Sequence, residues 1–216
     1  MSKFLYIADP MCSWCYAFSL ELQKLLDRIP HAELDIVLGG LRAYNTEVMD
    51  DDTRQMILSH WQRVQEVSGL PFDMNGLNKP GFIFDTEPAC RAVVAVKLLA
   101  DDLDAKQILN VFRAVQHAFY AQGLDVTKDE VLAQVCVDAL NQGQGDGAFD
   151  VASFLETLQA PSTREETRLH FEQIQRWGIR GFPVLCLVKE SGLHMIASGY
   201  AKLEQVEANL LELIGS

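Results

Sequence analysis

Strand-forming sequence is confined to the two ends of this chain, and that confinement limits the folds open to it. Lys3 to Ala8 is a short apolar run. Ser13 onward carries Trp14, Phe18, Leu22, Leu25, Leu26 and Ile29 at spacings of three and four until Pro30. Leu34-Asp35-Ile36-Val37-Leu38 then alternates up to Gly39-Gly40. Strand, helix and strand in so short a span imply a right-handed crossover, so the first two strands are expected to be parallel. From about Asp50 to Trp177 the period is helical, with segments around Met56, Trp61 and Val64 to Val67, from Glu87 to Leu103, from Ala105 to Ala121 and from Lys128 to Leu140, and two shorter ones near Phe154 and Phe171. Pro71, Pro80-Gly81, Gly123 and the Gly143 to Gly147 cluster punctuate them, and Thr127 with Glu130 reads as a capping box. The Asp50-Asp51-Asp52 run fits a helix N-terminus.

Strand signal returns at Phe182 to Val188 and, after a Glu190-Ser191-Gly192 turn, at Leu193 to Ala197, which implies a hairpin. Lys202 to Ile214 gives a closing helix through Leu203, Val206, Leu210, Leu211 and Ile214. The reading is an α/β chain with a four-stranded mixed sheet of thioredoxin-like type and a large helical insertion. Residues 1–45 and 178–216 are expected to build the sheet domain and residues 46–177 the insertion.

Cys12-Ser13-Trp14-Cys15 lies where the first strand hands over to the first helix, after an Asp9-Pro10 turn. A cysteine at a helix N-terminus meets unpaired backbone N–H groups and the positive end of the dipole, which favour a negative sulfur. Half of a zinc site would need a second ligand pair of similar spacing. None is present, because Cys90, Cys136 and Cys186 stand alone and His31, His60, His117, His170 and His194 are scattered. The motif therefore reads as a redox pair, with Cys12 attacking and Cys15, one turn further in, resolving. Cys12 is expected to remain partly exposed. Cys90, Cys136 and Cys186 fall on apolar faces and read as small core hydrophobes. Phe112, Phe119, Tyr120, Met49, Met56 and Met74 read as packing. Trp14 has two readings, a shield that contacts the client or an anchor for the helix start.

At 216 residues and 49% hydrophobic, the chain has material for a large core without structural disulfides, and five cysteines, an odd number, fit a reducing compartment with one working pair. A net charge of −12 makes nucleic acid and anionic membrane surfaces poor partners. No signal-peptide pattern or long apolar run appears, so a cytoplasmic location is expected.

Arg180-Gly181-Phe182-Pro183 opens the third strand. Proline cannot donate to a sheet ladder, so Pro183 belongs at a strand start or an edge, and alone it reads as an ordinary edge proline. Taken with the N-terminal C-x-x-C and the helical insertion, it makes the chain resemble the DsbA-like branch of the thioredoxin superfamily over essentially its whole length. Asp9-Pro10-Met11-Cys12-Ser13-Trp14-Cys15-Tyr16 is similar to the leaderless, cytoplasmic members. The resemblance implies a cis bond before Pro183, facing the pair, and a Phe182 backbone free to bind an extended substrate. Substrate contacts are thus expected from Ser13, Trp14, Phe182 and Pro183. Phe182 is bulkier than the residue usual there, and its ring is expected to narrow or reshape the groove.

The implied activity is thiol–disulfide exchange on protein or small-molecule clients, with no metal and no cofactor, and with glutathione or a thioredoxin-type reductant as possible co-substrate. The related 2-hydroxychromene-2-carboxylate isomerases and kappa-class glutathione transferases give an alternative, a glutathione-dependent isomerase or transferase. They typically carry serine at the first active position, where this chain has Cys12. A redox-sensing module that binds clients is the third reading.

Overall fold

The computed structural model describes residues 2–100, 103–144 and 147–215. The chain runs β1 (Lys3–Ala8), α1 (Ser13–Arg28), β2 (Glu33–Leu38), α2 (Asp51–Ser68), α3 (Glu87–Leu99), α4 (Ala105–Tyr120), α5 (Asp129–Gln144), α6 (Val151–Gln159), α7 (Pro161–Arg176), β3 (Val184–Lys189), β4 (Gly192–Ser198) and α8 (Leu203–Gly215). The four strands form one sheet in the order β2-β1-β3-β4. β1 pairs parallel with β2, and β3 is antiparallel to both β1 and β4. This is the four-stranded mixed sheet of thioredoxin-like type, with the crossover and hairpin that the sequence implies.

The period of two along β1 divides the interior. Phe4, Tyr6 and Ala8 face the larger core with Ile36, Leu38, Leu185 and Leu187, while Leu5 and Ile7 join Val37, Val184, Cys186 and Ile174 on the other face. The second face is sealed from α7. That helix is expected to be short, yet it is as long as α1 and α4, 16 residues from Pro161. Its strongly polar sequence, with few apolar positions, hides the Ile174 and Phe171 contacts from a periodicity reading.

Three local expectations are corrected. α3 stops at Leu99, where Ala100 N–H closes on Val96 O, rather than at Leu103; residues 101 and 102 lie outside the described residues. The Thr127 hydroxyl does not cap a helix but donates to Asp125 Oδ1 at 2.6 Å. A capping box forms instead at α4, where Asp104 Oδ1 accepts from Gln107 N and Gln107 Oε1 accepts from Asp104 N. Met56, expected in the packing, is exposed. Asp50 does cap α2 by accepting from Thr53 N at 2.8 Å. Of the Gly143 to Gly147 cluster, residues 145 and 146 lie outside the described residues.

His170 on α7 joins that helix to the sheet by accepting from Leu38 N at Nδ1, 3.1 Å away. Burial, followed by the nearby Lys97 charge, pushes its pKa down to about 4, against a smaller opposing pull from Asp35. Glu166, 3.9 Å from Nε2 and half-exposed, is too distant to compensate. The folded value lies below the ordinary one, so the stabilisation is present above pH ~6.5 and is lost as pH falls toward 4. Stability should drop by about 2 kcal/mol between pH 7 and pH 5 through this group. Denaturant unfolding of the His170→Gln protein should show that part of the slope removed. An unchanged slope would contradict it.

Candidate active site

The sheet order fixes what gathers at one end of the molecule. β1 and β2 end there, β3 begins there and β4 ends there, so the segments after β2, after β1, before β3 and after β4 stand side by side. Cys12 lies in the second of these and Pro183 in the third. The Asp9-Pro10 turn is closed by Cys12 N–H on Asp9 O at 3.0 Å. Cys12 is itself the N-cap of α1, in extended conformation, and its carbonyl accepts from Tyr16 N at 3.0 Å. No side chain caps this helix and its first turn has no acidic residue, so the N-terminal N–H groups remain available to a negative sulfur.

Cys12 is 7% exposed, more enclosed than expected, and Cys15 is fully buried. Tyr6 OH donates to the Cys15 carbonyl at 3.2 Å. Burial pushes the Cys15 thiol well above its ordinary range. The hydrogen bond with Cys12 and the charge of that sulfur push the same way, against a backbone hydrogen bond from Asp9. Cys15 is therefore held as a thiol behind Cys12.

Cys12 Sγ faces the Phe182 carbonyl at 3.9 Å. The Phe182–Pro183 bond is cis, as the resemblance implies. The Pro183 carbonyl is taken by Gly199 N at 2.7 Å. The Phe182 ring lies against Gly39, where a Cβ would meet ring atoms at 2.4–2.7 Å, and it packs on the Leu5–Ile174 core. Glycine at position 39 is what accommodates the large ring. Ser13 and Trp14 are half-buried, and the Trp14 ring is tilted against Tyr200 with centroids 5.7 Å apart. Thus Cys12, Ser13, Trp14 and Cys15 share one helix start, and the carbonyl of the cis Phe182–Pro183 bond faces the Cys12 sulfur.

The sequence reading gave Asp9 no role. It is fully buried, and its carboxylate accepts from Met11 N at 2.8 Å and Leu41 N at 2.7 Å, tying the motif to the segment after β2. Burial raises its pKa against those hydrogen bonds. Its signal was an acidic residue three positions before Cys12. Cys90 is buried as expected, but its Sγ lies 3.5 Å from Asp9 Oδ2, a polar partner that an apolar helix face does not announce. Cys136 and Cys186 are buried, and burial alone pushes their thiols up. Among the described residues no three His, Cys, Asp or Glu side chains converge on a metal position. Nor is any described helix long and apolar enough to cross a membrane. A surface cavity of about 660 Å³ lies between α4 and α5, and its lining includes neither Cys12 nor Cys15.

No curated protein matches the sequence. Among solved structures, the chain is similar to a "putative protein disulfide isomerase" from Nitrosomonas europaea, with 31% identity and a TM-score of 0.85 over 99% of this chain and 98% of that one. It also shares its fold with the cytosolic disulfide reductase DsbM from Pseudomonas aeruginosa, solved with GSH (22% identity, TM-score 0.72, 99% and 100% of the two chains). A 2-hydroxychromene-2-carboxylate isomerase is similar at 12% identity and a TM-score of 0.63, over 98% of this chain and 96% of that one. The family model of the DSBA-like thioredoxin domain matches residues 6–211, nearly the whole length over which the dithiol, the cis proline and the helical insertion are distributed, and the chain belongs to that family.

Proposed function

We propose that the protein is a thiol–disulfide oxidoreductase working through Cys12 and Cys15. The Cys12 thiolate attacks a client disulfide R–S–S–R′, forming Cys12–S–S–R and releasing R′S⁻, which takes a proton. Cys15 gives up its proton and attacks the Cys12 sulfur, the Cys12–S–S–R bond breaks, and RSH leaves. Two electrons pass from the dithiol to the client, and no bound cofactor is required. Run backward, the same steps donate the enzyme disulfide. The observation that carries this reading is the enclosed Cys15 behind Cys12, with Cys12 Sγ opposite the Phe182 carbonyl.

Ser13, Trp14, Phe182 and Pro183 form the client contacts in this reading, and clients are thiols or disulfides of protein or small-molecule type. The likeness to DsbM with GSH, together with the odd cysteine count, supports glutathione as co-substrate and a reducing, cytoplasmic setting. The glutathione-dependent isomerase alternative is supported only at the level of fold. The retained Cys15 speaks against it.

The test is Cys15→Ser. Attack survives and resolution does not, so the variant should accumulate Cys12 mixed disulfides, visible by mass spectrometry and reversed by dithiothreitol. Full multiple-turnover activity without Cys15, dependent on glutathione, would instead establish the isomerase or transferase reading. A wild-type protein that binds clients but reduces no model disulfide would leave the redox-sensing module.

A further inference from the structure

Beside the dithiol lies a cleft of about 280 Å³ between the segment after β2 and the approach to β3, lined by Gly39, Leu41, Tyr44, Phe171, Arg180 and Phe182 among others. Phe182 belongs both to this cleft and to the pair, since its carbonyl faces Cys12 Sγ at 3.9 Å. One wall is preformed. Leu41 N is held by the buried Asp9 carboxylate, Arg42 N by Thr86 Oγ1 at 3.1 Å, and Tyr44 N by Asp85 Oδ1 at 2.8 Å, which fixes Tyr44 in a left-handed conformation with φ 65°. The floor is aromatic, because side chains at Gly39 and Gly40 would collide with the Phe182 and Phe171 rings.

Arg180 is the one charged side chain among the described lining residues. It is exposed and makes no ion pair with any described residue, in a chain whose net charge is −12. Two residues, at most about 7 Å of extended chain, separate it from Phe182. That is the reach of a short peptide whose thiol sits at Cys12.

We propose that this cleft is a subsite for the carboxylate end of a glutathione-class thiol peptide, with Arg180 reading the carboxylate. The assignment rests on the oxidoreductase reading above. In the reaction that would use it, the reduced enzyme and glutathione disulfide give the Cys12–Cys15 disulfide and two molecules of glutathione. Arg180 takes no part in bond making. It determines which disulfide is held beside Cys12, through charge-assisted hydrogen bonds to the carboxylate.

The test compares second-order rate constants for oxidation of the reduced protein by glutathione disulfide and by the uncharged bis(2-hydroxyethyl) disulfide. Arg180→Glu should slow the first about 3- to 10-fold and leave the second within about 2-fold, and Arg180→Lys should restore most of the loss. Lys3→Glu makes the same change in net charge at the far end of β1 and should alter neither rate. An equal loss on both disulfides, no loss on either, or the same loss in Lys3→Glu would overturn the subsite. Wild-type protein that reacts with neither disulfide would overturn the oxidoreductase reading itself.

Discussion

Cys12→Ser protein should lose disulfide exchange altogether, falling to the rate of the uncatalysed reaction, while keeping its fold. Cys15 has no exposed surface, and burial together with the neighbouring Cys12 sulfur holds it as a thiol, so it cannot replace Cys12 as first attacker. Cys90 and Cys136 are equally enclosed, and Cys186, 5% exposed, lies within β3 with no helix N-terminus behind it, so none of the three can substitute. A serine hydroxyl at position 12 is nearly the shape of the thiol and caps helices well, so the N-terminus of α1 should be preserved or slightly strengthened. Single-turnover reduction of a model disulfide, followed alongside thermal unfolding, separates the two effects. Wild-type turnover by this variant would remove Cys12 from the chemistry.

The sheet was legible because its strands carry a clear period at the chain ends. The motif was legible because two cysteines one helical turn apart at a strand-to-helix junction, with no second ligand pair, suit little besides redox chemistry. Pro183 needed the resemblance as well, since a proline at a strand start does not declare which partner it faces. The features that were not legible share a physical cause. Asp9, Cys90 and Leu41 meet only in three dimensions, and a carboxylate holding two backbone N–H groups leaves no periodic trace in the sequence. The Phe182 ring was read from its bulk alone, whereas its accommodation depends on a glycine 143 positions earlier, Gly39, at the end of a different strand. α7 was undervalued because its few apolar residues are set in a charged helix, with Ile174 joining the core on one sheet face and Phe171 the larger core. The Thr127 and Glu130 spacing matched a capping box, but α5 starts at Asp129, with Lys128 O accepting from Leu132 N, so Thr127 stands one position too early to cap it.

Arg91→Ala should produce the largest loss of stability of any single change considered, about 3–5 kcal/mol. Arg91 on α3 is 3% exposed and holds three elements together. Its Nε donates to Glu87 Oε1 at 2.8 Å within α3, one terminal nitrogen donates to Leu158 O of α6 at 2.7 Å, and the other to Asp129 Oδ1 at the start of α5 at 3.1 Å. Glu87 is itself buried, with 8% of its side chain exposed, so truncating Arg91 leaves a carboxylate enclosed without its cation as well as a carbonyl without its donor. Lysine carries the charge but lacks the planar fork that reaches all three acceptors, so Arg91→Lys should recover only part of the loss. The size of the chain converts the expected change into a drop in melting temperature of about 6–20 °C. Glu87→Gln combined with Arg91→Met removes both buried charges and should be markedly less damaging than Arg91→Ala alone, because the penalty comes from the stranded partner rather than from the loss of attraction. Equal losses in the two proteins, measured by denaturant unfolding, would show that Arg91 stabilises the helical layer by packing and not by pairing.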